Sequence, residues 1–209
     1  MLSREPLVLF GLVVVAFVVS AWQPYEMATW WMEVGPVFLV VPLVLFLDRR
    51  LRFTSLALRL LALEALIVAV GAHYTYARVP LGFWIADVFG FTRNHYDRIA
   101  HFLQGVVPAI AMREVLLRST PLVRGRALFW IVVSICLAMS ASYELLEWWA
   151  AVQFGDGATE FLGTQGDPWD SQWDMFLAGL GSISALLLLG RRHDASMRLR
   201  DAERERGLG

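Results

Sequence analysis

Six runs of this chain are poor in polar residues, at about 7–22, 31–47, 55–75, 101–118, 128–150 and 172–190. Each meets or approaches the roughly 20 mainly apolar residues that a helix needs to cross the bilayer core. The first, "LVLFGLVVVAFVVSAW", is apolar on every side. Barrel strands would instead alternate in runs of about ten. Backbone exposed to lipid must satisfy its own hydrogen bonds, which leaves helices. The pattern predicts an all-α polytopic membrane protein, with six transmembrane helices in one bundle over residues 1–190 and a charged tail over 191–209. "VVS" before Ala21 also suits signal-peptide cleavage. The length of the apolar run favours a retained helix.

Composition supports the membrane reading: 57% of the 209 residues are hydrophobic and nine are Trp. Mean hydropathy is +0.55, too apolar for an ordinary soluble domain. All 18 basic residues are Arg, and the net charge of −1 conceals how they are distributed. With a cytoplasmic N-terminus, Arg4, Arg49, Arg50, Arg52, Arg59, Arg113, Arg118, Arg124, Arg126 and the tail arginines fall inside. Only Arg78, Arg93 and Arg98 fall outside. The positive-inside rule then predicts that both termini are cytoplasmic. Such clusters orient a membrane protein and touch lipid headgroups; they give no case for nucleic acid. Cys136, the single cysteine, predicts helix packing and excludes an intramolecular disulfide.

This orientation puts the two long connections, about 76–100 and 151–171, on the extracytoplasmic side. The first contains "PLGFWIADVFGF", which suits an interfacial or re-entrant segment; the second is acidic and Gly-rich, with turn chemistry in "GTQGD". Polar residues gather at the helix ends beside them: His73, His95, Asp97, Arg98, His101, Glu144, Glu147, Asp167, Asp170 and Asp174, with Glu33 at the same depth. Asp97 and His101 are four apart, as are Asp170 and Asp174, and Ser140, Glu144 and Glu147 follow at i, i+4 and i+7. Each set shares one helical face. The Asp170–Asp174 stripe continues through Ala178, Gly181 and Ala185, which predicts close packing against a neighbour. Pro108 predicts a kink in the fourth span.

Several residues take plainer readings. "ATWWMEVG" and "EWWA" mark an interface belt. Glu64, near mid-span, is expected to pair with Arg59 or Arg113, or to hydrogen-bond across helices. His193 is expected at the surface of the tail, and Asp156 and Glu160 as solvated loop acids.

The segments "GAHYTYARVPLG", "RNHYDRIAHFLQGVVPAIAMRE", "SASYELLEWW" and "FLGTQGDPWDSQWDM" resemble the YjdF-type bacterial inner-membrane proteins over most of residues 71–180. The resemblance implies a six-helix inner-membrane fold and brings no activity with it. A looser similarity is to VanZ-like proteins, associated with glycopeptide resistance at the cell envelope. Their Asp, basic residue and His-Phe pair look like "DRIAHF" at 97–102. Glu144 or Glu147, and Asp170 or Asp174, stand as counterparts of their later acidic positions. Glu147 stands where that family tends to have Gln, and Asp174 where Asn is expected, so the cluster here is more acidic.

Acidic and imidazole groups within membrane spans face a bundle interior or a water-filled cavity, and mark functional sites. They suggest a metal-dependent hydrolase or transferase acting on a lipid or lipid-linked envelope substrate. Asp97, His101, Glu144 and Asp174 are then the catalytic candidates. His73, His101 and Glu147 are candidate ligands of a divalent metal such as zinc, and Arg98, Asp167 and Asp170 candidate substrate contacts. Two other readings stand beside it: a non-catalytic accessory protein whose polar cluster is structural, and a small ion-coupled transporter.

Overall fold

The computed structural model describes residues 4–155 and 159–206, and its regular elements are all α-helices. Asp156 and the Glu160 side chain lie outside the described residues. In chain order the helices are α1 (Arg4–Ser20), α2 (Met27–Leu51), α3 (Ser55–Tyr74), α4 (Pro80–Phe89), α5 (Tyr96–Ser119), α6 (Arg126–Phe154), α7 (Thr159–Leu162) and α8 (Asp170–Glu205). Each of the six apolar runs is a helix. Five of these helices, α2, α3, α5, α6 and α8, are long and apolar enough to cross a membrane. At 17 residues, α1 spans about 25 Å, short of a hydrocarbon core about 30 Å thick. The chain is thus a polytopic helical membrane protein.

The helices outrun the apolar runs, because backbone hydrogen bonding continues into charged flanks that hydropathy leaves out. α2 begins at Met27, and α8 continues through "RRHDASMRLRDAERE" without a break. The interfacial segment is the ten-residue helix α4, opened by Pro80 at its first turn and closed by Gly90 at φ 69°.

The central helix is α5. It touches α2, α3, α6 and α8, and packs most extensively against α8. Small residues allow this. A Cβ added at Gly105 would strike the Ala178 carbonyl, and one at Gly181 the Phe102 carbonyl. The stripe of Asp170, Asp174, Ala178, Gly181 and Ala185 is buried, as its spacing predicts. Ile110, Val132, Cys136 and Ala185 continue the core away from that polar end. Outward-facing residues are apolar instead, with Leu39 and Leu188 78% and 76% exposed, a surface suited to hydrocarbon. Pro108 sits within an uninterrupted α5.

Three expectations are corrected, two of them at or toward the Glu114 end of α5. His193 is fully buried, not at the surface, because α8 turns it inward toward Glu114. Glu114 accepts from Thr54 N and Oγ1, from Arg118 Nε and from His193 Nε2. Arg113 meets His193 Nδ1 at 2.9 Å and Asp194 at 2.7 Å, and Arg59 meets Glu5. Among the described residues neither arginine has an ion pair with Glu64, so of the partners expected for it the two arginines are set aside. Trp30 does not join an interface belt either: it is buried, with its indole N–H donating to Ser20 Oγ at 3.1 Å. Its neighbour Trp31 and the pair Trp148 and Trp149 are exposed, as a belt requires.

Candidate functional site

Three helices bring the opening residues of the site together. Asp97 and His101 occupy successive turns at the start of α5, with Asp97 Oδ1 3.5 Å from His101 Nε2. From α8, one turn in, comes Asp174. One ligand atom from each of Asp97, His101 and Asp174 lies within 4.8 Å of the others. His101 and Asp174 are buried and Asp97 half-buried. From α6 comes Glu144, buried, with its charge reaching both His101 and Asp174.

Many polar atoms here have no hydrogen-bond partner among the described residues. They are His101 Nδ1, Asp174 Oδ1, both Glu144 carboxylate oxygens, Ser140 Oγ and Gln104 Oε1. Ser171 interacts with Glu144, but outside good hydrogen-bond geometry. Buried polar groups are normally paired, and each exception needs an explanation. At the other end of α5, about 25 Å away by helical rise, Glu114 and His193 are equally buried and fully bonded. The two clusters use the same residue types, and among the described residues the Asp97 end is the one whose buried carboxylate and imidazole atoms stay unfilled. That is the donor set of a divalent cation: imidazole nitrogen and carboxylate oxygen, three protein groups with room for further ligands.

Tyr143 extends the site. Its hydroxyl donates to Glu33 Oε2 at 2.7 Å, and its ring stands edge-on to His101 at 6.2 Å between centroids. Glu33, expected at this depth, is thereby joined to the cluster. Sequence reasoning passed over Tyr143 although it lies on the Ser140–Glu144–Glu147 face, three residues after Ser140.

The other candidates fall into two groups. His73 is drawn away, with its Nδ1 2.9 Å from the Ser20 carbonyl, and is not among the grouped ligand atoms. Glu147 is half-buried on α6, near the charges of Glu144, Asp97, Glu33 and Asp174, but also outside that triad. Arg98 and Asp167 do form an ion pair, and Arg93, which the sequence reading treated only as a topogenic charge, joins Asp167 to Asp170. The Asn94 backbone N–H donates to Gln165 Oε1, and Gln165 Nε2 donates back to the Asn94 carbonyl, each at 2.9 Å. This fastens the acidic loop across the start of α5. His95 stands on the arginine side of that junction. Burial and the guanidiniums of Arg98 and Arg93 hold its imidazole below the usual range.

Comparison with known proteins gives a consistent picture. Residues 5–195 match a family described as "Predicted membrane protein (DUF2238)". The chain is 49% identical over 175 residues, 83% of each protein, to "Inner membrane protein YjdF" of Escherichia coli (strain K12). No solved structure matches. Taken with the helices long enough to span a bilayer, these matches place the chain in the DUF2238 family of predicted membrane proteins, as a multi-pass protein of the inner membrane.

Proposed function

We propose that this protein is a divalent-cation-dependent hydrolase or transferase acting on a lipid or lipid-linked substrate at the extracytoplasmic membrane face, with Asp97, His101 and Asp174 holding the ion. The observation that carries this reading is the set of unpartnered, buried atoms on His101, Asp174 and Glu144 around that triad. A bound divalent ion would polarise the substrate and lower the pKa of a coordinated water. Glu144, outside the triad and within electrostatic reach of His101, takes the proton released from the attacking water and returns it to the leaving oxygen. The water oxygen forms the new bond as the ester bond to the lipid breaks.

The membrane arrangement belongs to the same proposal. Six spans, α1 included, place both termini in the cytoplasm, with one membrane domain whose last helix enters the charged tail. The arginine asymmetry supports it: 15 of the 18 arginines fall on one side. The triad then opens outward, beneath the two long connections.

Elemental analysis of the protein purified in mild detergent tests the site directly. A stoichiometric divalent metal, lost in His101→Ala while the protein stays folded, is the expected result. No metal in either protein would make the cluster a structural network.

A further inference from the structure

Arg93 and Arg98 flank the first turn of α5 and converge on one atom. Arg98 Nη2 donates to Asp167 Oδ2 at 2.6 Å, and Arg93 Nη1 reaches the same oxygen at 3.3 Å. A second contact from Arg93 Nη1 goes to Asp170 Oδ1 at 2.8 Å. Both guanidiniums are mostly sequestered, with side chains 12% and 20% exposed. Even so, Arg93 Nε, Arg93 Nη2 and Arg98 Nε have no acceptor among the described residues. Two arginines therefore share a single carboxylate oxygen and keep three donor nitrogens unfilled. A tetrahedral oxyanion has the oxygens to fill them, and arginine's planar fork suits phosphate.

Asp167 meets the arginines through Oδ2 alone, its Oδ1 accepting from the Trp169 backbone N–H at 2.9 Å. It follows Gly163, Gln165 and Gly166, all at positive φ, and its backbone N–H donates to the Thr164 carbonyl at 2.9 Å. Asp170 links the arginines to the triad, because it lies one turn, about 5.4 Å, before Asp174 on α8. A group held by both guanidiniums would stand beside the proposed ion. Exposed Trp169, Trp173 and Phe176 lie on the same stretch, with the Arg98 guanidinium 5.3 Å from the Trp173 ring centroid. They offer an apolar surface to an acyl chain.

We propose that Arg93 and Arg98 form a phosphate seat beside the Asp97–His101–Asp174 site, filled by the Asp167 carboxylate until a phosphate-bearing lipid displaces it. The seat rests on the metal reading for its part in the reaction, while its binding rests on the arginine donors; a cation would add to that binding by offsetting Asp97, Asp170, Asp174 and Glu144.

Binding of a short-chain phosphatidic acid and of inorganic phosphate should be measured on the full-length protein in detergent, with metal content determined on the same samples. Arg93→Gln/Arg98→Gln should keep the metal and weaken phosphatidic acid binding by about tenfold or more. Asp167→Asn should tighten it severalfold, by removing the internal competitor; a merely structural ion pair would not behave so. Unchanged affinity in the arginine variant, or weaker binding in Asp167→Asn, overturns the seat. Inorganic phosphate binding as tightly as the lipid overturns the lipid assignment. If the wild-type protein holds no metal while Asp167→Asn still tightens phosphate binding, the seat stands and the metal reading falls. Should the arginine variant fail to fold, Asp167→Asn decides alone.

Discussion

His193 and Glu114 lie 79 residues apart in the chain and meet at 3.0 Å with both side chains fully buried. Glu114 also receives Thr54 and Arg118, so one carboxylate ties the α2–α3 turn to α5 and α8. Removing one partner from such a pair strands the others without compensation, at a cost of about 3–5 kcal/mol. Glu114→Ala should lower the unfolding free energy in detergent by this amount. His193→Ala should cost less, about 1–3 kcal/mol, because Glu114 keeps its other donors. Metal content per folded molecule should stay unchanged in both.

The Asp97 end predicts the opposite sign. Asp174 is buried with an unfilled oxygen among other carboxylates, a cost in the metal-free protein that a cation offsets. With chelator present, Asp174→Asn should therefore stabilise the protein, by about 0.5–2 kcal/mol. In metal-containing buffer the wild type should gain thermal stability and the variant should not. A variant less stable than wild type in chelator would mean that Asp174 is a structural group.

Much of that end was legible in the sequence, because helical spacing alone puts Asp97 with His101 and Asp170 with Asp174 on shared faces. The small residues below Asp174 told which face is buried. Glu114 and His193 were not legible: nothing local pairs residues so far apart, and a His within "RRHD" reads as part of a solvated tail. Arg93 was hidden for a related reason. A cation just before a helix reads as an orienting charge, and only the fold brings Asp167 and Asp170 against it. A sharper signal was present in its scarcity, as one of three arginines on a side crowded with acids.

The α5–α8 contact allows a test of packing. Gly105 and Gly181 face backbone carbonyls of the opposing helix, which cannot rotate away as a side chain would. Gly105→Ala and Gly181→Ala should each destabilise by about 1–3 kcal/mol through forced separation of the helices. Separation also moves Asp174 away from Asp97 and His101, so metal affinity should fall with stability. Gly125→Ala, where an added Cβ meets open space, is the control. Equal stability across all three would show that α5 and α8 do not approach this closely.

Orientation is testable with single cysteines, since native Cys136 is buried and should stay silent. Thr164 is exposed on the loop that crosses the start of α5, and Leu199 is exposed near the end of α8. With both termini cytoplasmic, Thr164→Cys should react with an impermeant thiol reagent on intact spheroplasts, and Leu199→Cys only after lysis. The two residues lie at opposite ends of the bundle, so they should always label oppositely. Reversal of both would turn the Asp97 triad and its arginines toward the cytoplasm. Envelope substrates of the outer leaflet would then be out of reach, and the screen would pass to phospholipids of the inner leaflet. Labelling of both from outside would instead mean that α8, the one helix between them, does not cross, and it would overturn the membrane arrangement proposed here.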